Sequence, residues 1–169
     1  MKQFIAAFLL LCAASLSSVA QQTQDSFKVY NPKADARHEI MKAVSRAARE
    51  HKHVFLQIGG NWCKWCRYFN NLVTKDDTLS KLLTDNYVVV HVNYSPENRN
   101  EETLANLGYP QRFGFPVFVI MDGKGNRLHT QNSGYLEKGQ GHDPKLVAEF
   151  LKQWSPGALD PDNYKDGKR

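Results

Sequence analysis

The chain has 169 residues, three cysteines and a formal net charge of +5. That length fits one ordinary domain able to bury a core without several disulfides. The basic residues are scattered among acids, with no basic stripe and no nucleic-acid motif, so nucleic acid is not expected as a partner.

The chain opens with Met1-Lys2, an apolar run over 4–12 and small residues ending Ser18-Val19-Ala20. A positive start, an apolar middle and a small-residue end read as a secretory signal peptide over 1–20, cleaved after Ala20. The apolar run is shorter than the roughly 20 residues a membrane-spanning helix needs. No later run is longer, so no membrane span is expected. Cys12 leaves with the signal. The alternative, a lipid anchor on Cys12, is disfavoured by the bulk of Leu11 before it. The reading is therefore an exported protein, periplasmic if the source is a diderm bacterium and secreted otherwise. Outside the cytosol a disulfide can form and persist, so both redox states of the two remaining cysteines are accessible.

Residues 21–33 read as an N-terminal extension, polar over 21–26 and a short edge strand over 27–30. From Asp35 to about His51 the pattern is helical, with Ile40, Val44, Ala47 and Ala48 on one face. His51-Lys52-His53 closes that helix, as cations favour a helix C-terminus; a His-X-His metal pair is the other reading. The apolar run Val54-Phe55-Leu56-Gln57-Ile58 is a buried strand.

Next comes Gly59-Gly60-Asn61-Trp62-Cys63-Lys64-Trp65-Cys66-Arg67-Tyr68-Phe69, and after it a helix carrying Phe69, Leu72 and Val73. The two cysteines thus sit where a strand turns into a helix. Unpaired N–H groups and the positive end of the dipole favour an anion there. The thiolate is the reactive form of cysteine, and a helix N-terminus in a Cys-X-X-Cys motif can lower its pKa from about 8.5 into the range of roughly 3.5–7.5. Lys64 adds a positive charge. Cys66 is close enough to close a small ring with Cys63. The pattern reads as a thiol–disulfide exchange site, with Cys63 attacking and Cys66 resolving. Haem attachment would need a histidine where Arg67 stands. A zinc site would need two further ligands, and the mature chain has no other cysteine.

Asp76 or Asp77 caps a second short helix with Leu79, Leu82 and Leu83, broken by Asn86. Residues 87–93 form a β-branched, nearly continuous apolar strand, expected at a central position covered on both faces. A polar loop over 95–100 and a short helix over 101–107, stopped by Gly108, follow. Val117 to Met121 is a strand with Pro116 at its entrance. The Asp122-Gly123-Lys124-Gly125-Asn126 turn leads into a hairpin partner over 127–130. Base rates alone make the Phe115–Pro116 bond trans. Pro144 starts an amphipathic helix carrying Leu146, Val147, Phe150, Leu151 and Trp154. Residues 155–169 read as a flexible tail. This order of strands and helices is an α/β domain.

The Trp62-Cys63-Lys64-Trp65-Cys66 motif after a buried strand, the Gly114-Phe115-Pro116-Val117 strand entrance and the Asp122-Gly123 turn together resemble the thioredoxin-like superfamily. The nearest flavour is the secreted bacterial thioredoxin-family proteins with a GGNWCxWC active site. The resemblance spans about 34–154. It implies a thioredoxin fold, a central mixed β-sheet flanked by helices on both faces. It also implies that Cys63 is the exposed nucleophile and Cys66 the buried resolving thiol. Pro116 would be cis and packed against the cysteines. The Phe115 backbone would bind polypeptide, and Trp62 would flank the nucleophile. One position departs from the family. Its buried acid, six residues before the first cysteine, is here Gln57, which cannot take a proton near neutral pH. Lys64-Trp65 also replaces the Gly-Pro of thioredoxin, and Lys64 favours the reduced thiolate and hence a more oxidising pair.

The leading reading is an exported thiol–disulfide oxidoreductase needing no metal or organic cofactor beyond the redox-active Cys63–Cys66 pair. Its partners would be cysteine-containing exported proteins and a redox partner that recycles the pair, with Lys64, Trp65 and Gln57 tuning it. Two alternatives are a copper- or zinc-handling module adding His91, His129 or His142 to the cysteines, and a non-catalytic adaptor whose disulfide is structural.

Overall fold

Strand β1 (His53–Gly59) is buried along its whole length, and the sheet is assembled around it. In the computed structural model of the chain, which describes residues 27–167, β1 pairs in parallel with β2 (Tyr87–Asn93). On its other side it pairs antiparallel with β3 (Val117–Met121). β3 in turn pairs antiparallel with β4 (Arg127–Asn132), through a hairpin with an irregularity at Ile120/Met121. The order is β2-β1-β3-β4. The signal peptide, its cleavage site, Cys12 and residues 21–26 of the extension lie outside the described residues.

Side chains of a strand alternate between faces, and here the alternation sorts the core into two halves. Val54, Leu56 and Ile58 of β1, with Val117, Val119 and Met121 of β3, face helix α1 (Ala36–Glu50) through Ala36, Ile40, Ala43 and Ala47. Helix α4 (Glu101–Asn106) adds Leu104 to the same side. Phe55, Phe118 and Ile120 face the other way. They meet α2 (Lys64–Lys75), α3 (Asp77–Asn86) and α5 (Pro144–Gln153) through Phe69, Leu79, Leu83, Val147, Phe150 and Leu151. The expected mixed sheet with helices on both faces is the observed fold. Each long helix starts on a side-chain cap. Asp35, Asp76 and Asp143 accept from backbone N–H groups in the first turns of α1, α3 and α5.

Two expectations are corrected. Residues 27–30 are irregular rather than an edge strand; the segment lies over the two cysteines instead of extending the sheet. Consequently β2 has a partner on one side only and is an edge strand, with Val89 40% exposed. Its continuous apolar run is the pattern of a central strand, but β1 and β3 hold the centre. Two smaller differences follow from packing: Asn86 is the last residue of α3 rather than its breaker, and Ala48 of α1 is exposed. Residues 157–159 and 161–167, expected as a loose tail, form 3-10 turns. Among the described residues no helix is long and apolar enough to cross a membrane.

Candidate active site

Cys63 is the N-cap of α2, and its Sγ accepts the Cys66 backbone N–H at 3.1 Å. The sulfur therefore occupies the position where a capping oxygen would satisfy an orphan donor, at the positive end of the helix. Cys66, one turn in, is fully buried, and the two cysteines are joined as a disulfide. Cys63, expected to be exposed, is itself 4% exposed. Phe27, Val29, Trp65 and Phe115 pack around the pair and cover it. Of the two sulfur residues, Cys63 is the one that lines a surface groove.

The Gly59-Gly60-Asn61-Trp62 approach to the helix has a packing reason at each position. A β-carbon on Gly59 would collide with Cys66 Sγ and would meet the Tyr30 hydroxyl at 3.0 Å. A β-carbon on Gly60 would collide with the Trp62 indole and would come within 2.9 Å of the Tyr94 carbonyl. The Asn61 side chain bonds the Tyr30 backbone in both directions, donating to its carbonyl at 2.8 Å and accepting its N–H at 3.1 Å. Trp62 is 58% exposed, with its indole N–H donating to the Tyr94 carbonyl at 2.8 Å.

The Phe115–Pro116 peptide is cis, as the resemblance implies and base rates do not. Pro116 is buried at the start of β3, and Phe115 packs against the cluster of Tyr30, Cys63 and Cys66. The Phe115 ring stands edge-on to Trp62 at 5.6 Å and tilts over Tyr94 at 4.8 Å. Lys64 is exposed and reaches over the Tyr68 ring, 5.4 Å from its centre. Trp65 is half-buried between Tyr68 and His142.

Gln57 follows Phe55 on the face of β1 that looks toward α2. It is 1% exposed, and its amide nitrogen donates to the Tyr30 hydroxyl at 2.8 Å and the Cys66 carbonyl at 3.4 Å. The position aligned with the family's buried acid thus lies against Cys66. Sequence reasoning missed Tyr30. Its hydroxyl and Cys66 Sγ converge on the same point beside Gly59. Burial pushes its pKa above the ordinary tyrosine value, partly opposed by the Gln57 bond, so the hydroxyl stays protonated and neutral. No local signal marked it; the bonds that tie it to the site come from Asn61 and Gln57, 31 and 27 residues away.

The three histidines considered as metal ligands do not gather. His91 sits edge-on to Tyr30 at 5.4 Å, its pKa lowered by burial. His129 stacks on Trp154 at 4.2 Å. His142 stands edge-on to Trp65 and Phe69, with neither ring nitrogen hydrogen-bonded. Among the described residues no group of three or more His, Cys, Asp or Glu could hold a metal ion.

A family model described as thioredoxin-like matches residues 35–123. No curated protein sequence matches the chain with significance. A disulphide isomerase from Xylella fastidiosa Temecula1 is similar in structure, with a TM-score of 0.63 and 25% identity over 73% of this chain and 94% of its own. A thioredoxin from Thermus thermophilus gives a TM-score of 0.48 at 23% identity, covering 75% of this chain and 88% of its own.

Burial depresses the His142 pKa from 6.5 to about 4. The folded state thus keeps this ring neutral while the unfolded chain takes up a proton. Stability from this residue is present above about pH 6.5 and is lost as pH falls toward 4. His142→Phe should remove a loss on the order of 2 kcal/mol over that window, read by urea unfolding at pH 4.5 and 7.5. An unchanged pH dependence would show that His142 does not titrate this way.

Proposed function

The chain belongs to the thioredoxin-like family, and on that premise we propose that it is an exported thiol–disulfide oxidoreductase acting on cysteines of other exported proteins. One observation carries the reading: a disulfide between Cys63 and Cys66 with its first sulfur capping α2 beside an open groove. The similarity to a disulphide isomerase supports it. Export rests on the signal-like 1–20 segment.

In the reducing direction the Cys63 thiolate attacks one sulfur of a substrate disulfide. That S–S bond breaks, one substrate sulfur leaves as a thiolate and takes a proton from solvent, and a mixed disulfide forms on Cys63. Cys66 then loses its proton and attacks Cys63 Sγ. The second substrate thiolate leaves and is protonated, and Cys63–Cys66 is oxidised. The substrate has gained two electrons and two protons. The oxidising direction runs the same steps backwards, and a redox partner restores the pair. The Cys66 N–H and the dipole of α2 favour the Cys63 thiolate. Trp62, Phe115 and Pro116 shape the docking surface, and Lys64 and Trp65 tune the pair.

The roles are tested by trapping. Cys66→Ser should accumulate mixed disulfides with cysteine proteins on non-reducing gels, and Cys63→Ser should not. Equal trapping by both variants would contradict the assignment. Trapping by neither, with full loss of stability on reduction, would favour a structural bridge.

Resolution is where Gln57 enters. A buried thiol resists deprotonation, and Gln57 holds its Tyr30 and Cys66 partners without accepting a proton. Gln57→Glu supplies a base within reach. It should speed resolution of a preformed Cys63 mixed disulfide near neutral pH and add an ionisation to the profile. Burial raises the new carboxyl's pKa, so the variant should lose stability as pH rises above about 4.3. A stopped-flow profile matching wild type in a folded variant would remove position 57 from proton control.

A further inference from the structure

The groove beside Cys63 has a consistent charge. It encloses about 1000 Å³, with Lys28, Lys64 and Arg67 along it, Phe27 and Trp62 as apolar walls and Cys63 at its edge. No acid among the described residues lines it. None of the three cations is ion-paired with a described carboxylate, whereas Arg46, Lys81 and Lys138 elsewhere on the surface each hold one within 3.0 Å. Beyond Trp62 a second groove, of about 550 Å³, carries Glu97 and Arg99, one charge of each sign. The excess of positive charge therefore lies on the Lys28 side of Trp62.

The wall that supplies Lys28 lies outside the segment that the family model matches. Residues 27–32 precede the segment matched by the family, which begins at 35. They form no strand, and they are fixed over the cysteines by the reciprocal Asn61–Tyr30 bonds and by the packing of Phe27 edge-on to Tyr30 at 6.1 Å.

We propose that this groove selects substrates whose reacting cysteine is flanked by Asp or Glu. The proposal rests on Cys63 being the exchange nucleophile and adds the class of polypeptide it serves. A cleft lined by one sign of charge concentrates partners of the other sign and speeds their encounter. An acidic segment lying along the groove would meet Lys28 and Arg67 as its disulfide reaches Cys63. The same cations favour the thiolate, so charge affects both nucleophile and partner. A ratio of rates between peptides separates the two, because the thiolate fraction is common to all of them.

The test uses the reduced full mature chain and three peptides of equal length, each with one cysteine activated as a neutral 2-pyridyl disulfide. The flanking residues are Asp, Gln or Lys. Attack by Cys63 releases 2-thiopyridone, and Cys66 then displaces the reduced peptide. At low salt the Asp peptide should react faster than the Lys peptide by on the order of tenfold, with Gln between. Screening at 1 M salt should bring the ratio close to one. Lys28→Glu combined with Arg67→Glu should invert the order, and Lys28→Gln alone should shrink the ratio. Equal, measurable rates for the three peptides at low salt would overturn the groove assignment and leave the exchange reading standing. So would a preference that survives both high salt and charge reversal. Release from none of the peptides would overturn the exchange reading, and this proposal with it.

Discussion

Cys66 Sγ lies so close to the backbone of Gly59 that no β-carbon fits there, and the geometry of the site follows from that contact. The end of β1 and the first turn of α2 must meet at a glycine for the Cys66 sulfur to sink into the sheet–helix seam. Once it does, Cys63 is left at the N-cap, one turn nearer the surface. The next residues serve the same arrangement. Gly60 gives room for the Trp62 indole, and Asn61 holds the Tyr30 segment over the buried side of the disulfide.

The surroundings of Cys66 are neutral. Gln57 is an amide, Tyr30 keeps its proton because burial disfavours the phenolate, and burial lowers the pKa of the neighbouring His91. An unpaired charge here would be costly in so dry a place. A neutral amide and hydroxyl satisfy one another at 2.8 Å. This arrangement stabilises the fold around the disulfide, but it places no carboxylate beneath Cys66. The charge is outside, on Lys28, Lys64 and Arg67, along the groove that Cys63 borders.

Much of this was legible in the chain. The apolar run Val54-Phe55-Leu56-Gln57-Ile58 marks the buried strand, and the helical pattern from Asp35, the cap at Asp76 and the start at Pro144 place three helices. The strand-to-helix position of the cysteines follows from the apolar runs on either side. The rest depended on contacts far apart in sequence. Nothing in residues 27–30 distinguishes an edge strand from a cover for the site, because the deciding bonds come from Asn61. The exposure of β2 was hidden for a related reason. A run of valines is compatible with the centre of a sheet, and its edge position is set by which strands pair beside β1. The cis peptide before Pro116 followed from family resemblance alone, since the residues by themselves favour trans.

Disulfide exchange requires Cys63–Cys66 to be a labile pair rather than a staple, and the reduction potential of that disulfide measures the difference directly. Equilibration of the protein with glutathione or dithiothreitol buffers, read by thiol labelling, gives the value. A potential above about −300 mV, in the range of roughly −270 to −120 mV spanned by exchange catalysts, is the predicted result. A value well below about −300 mV would identify a structural bridge and contradict the account.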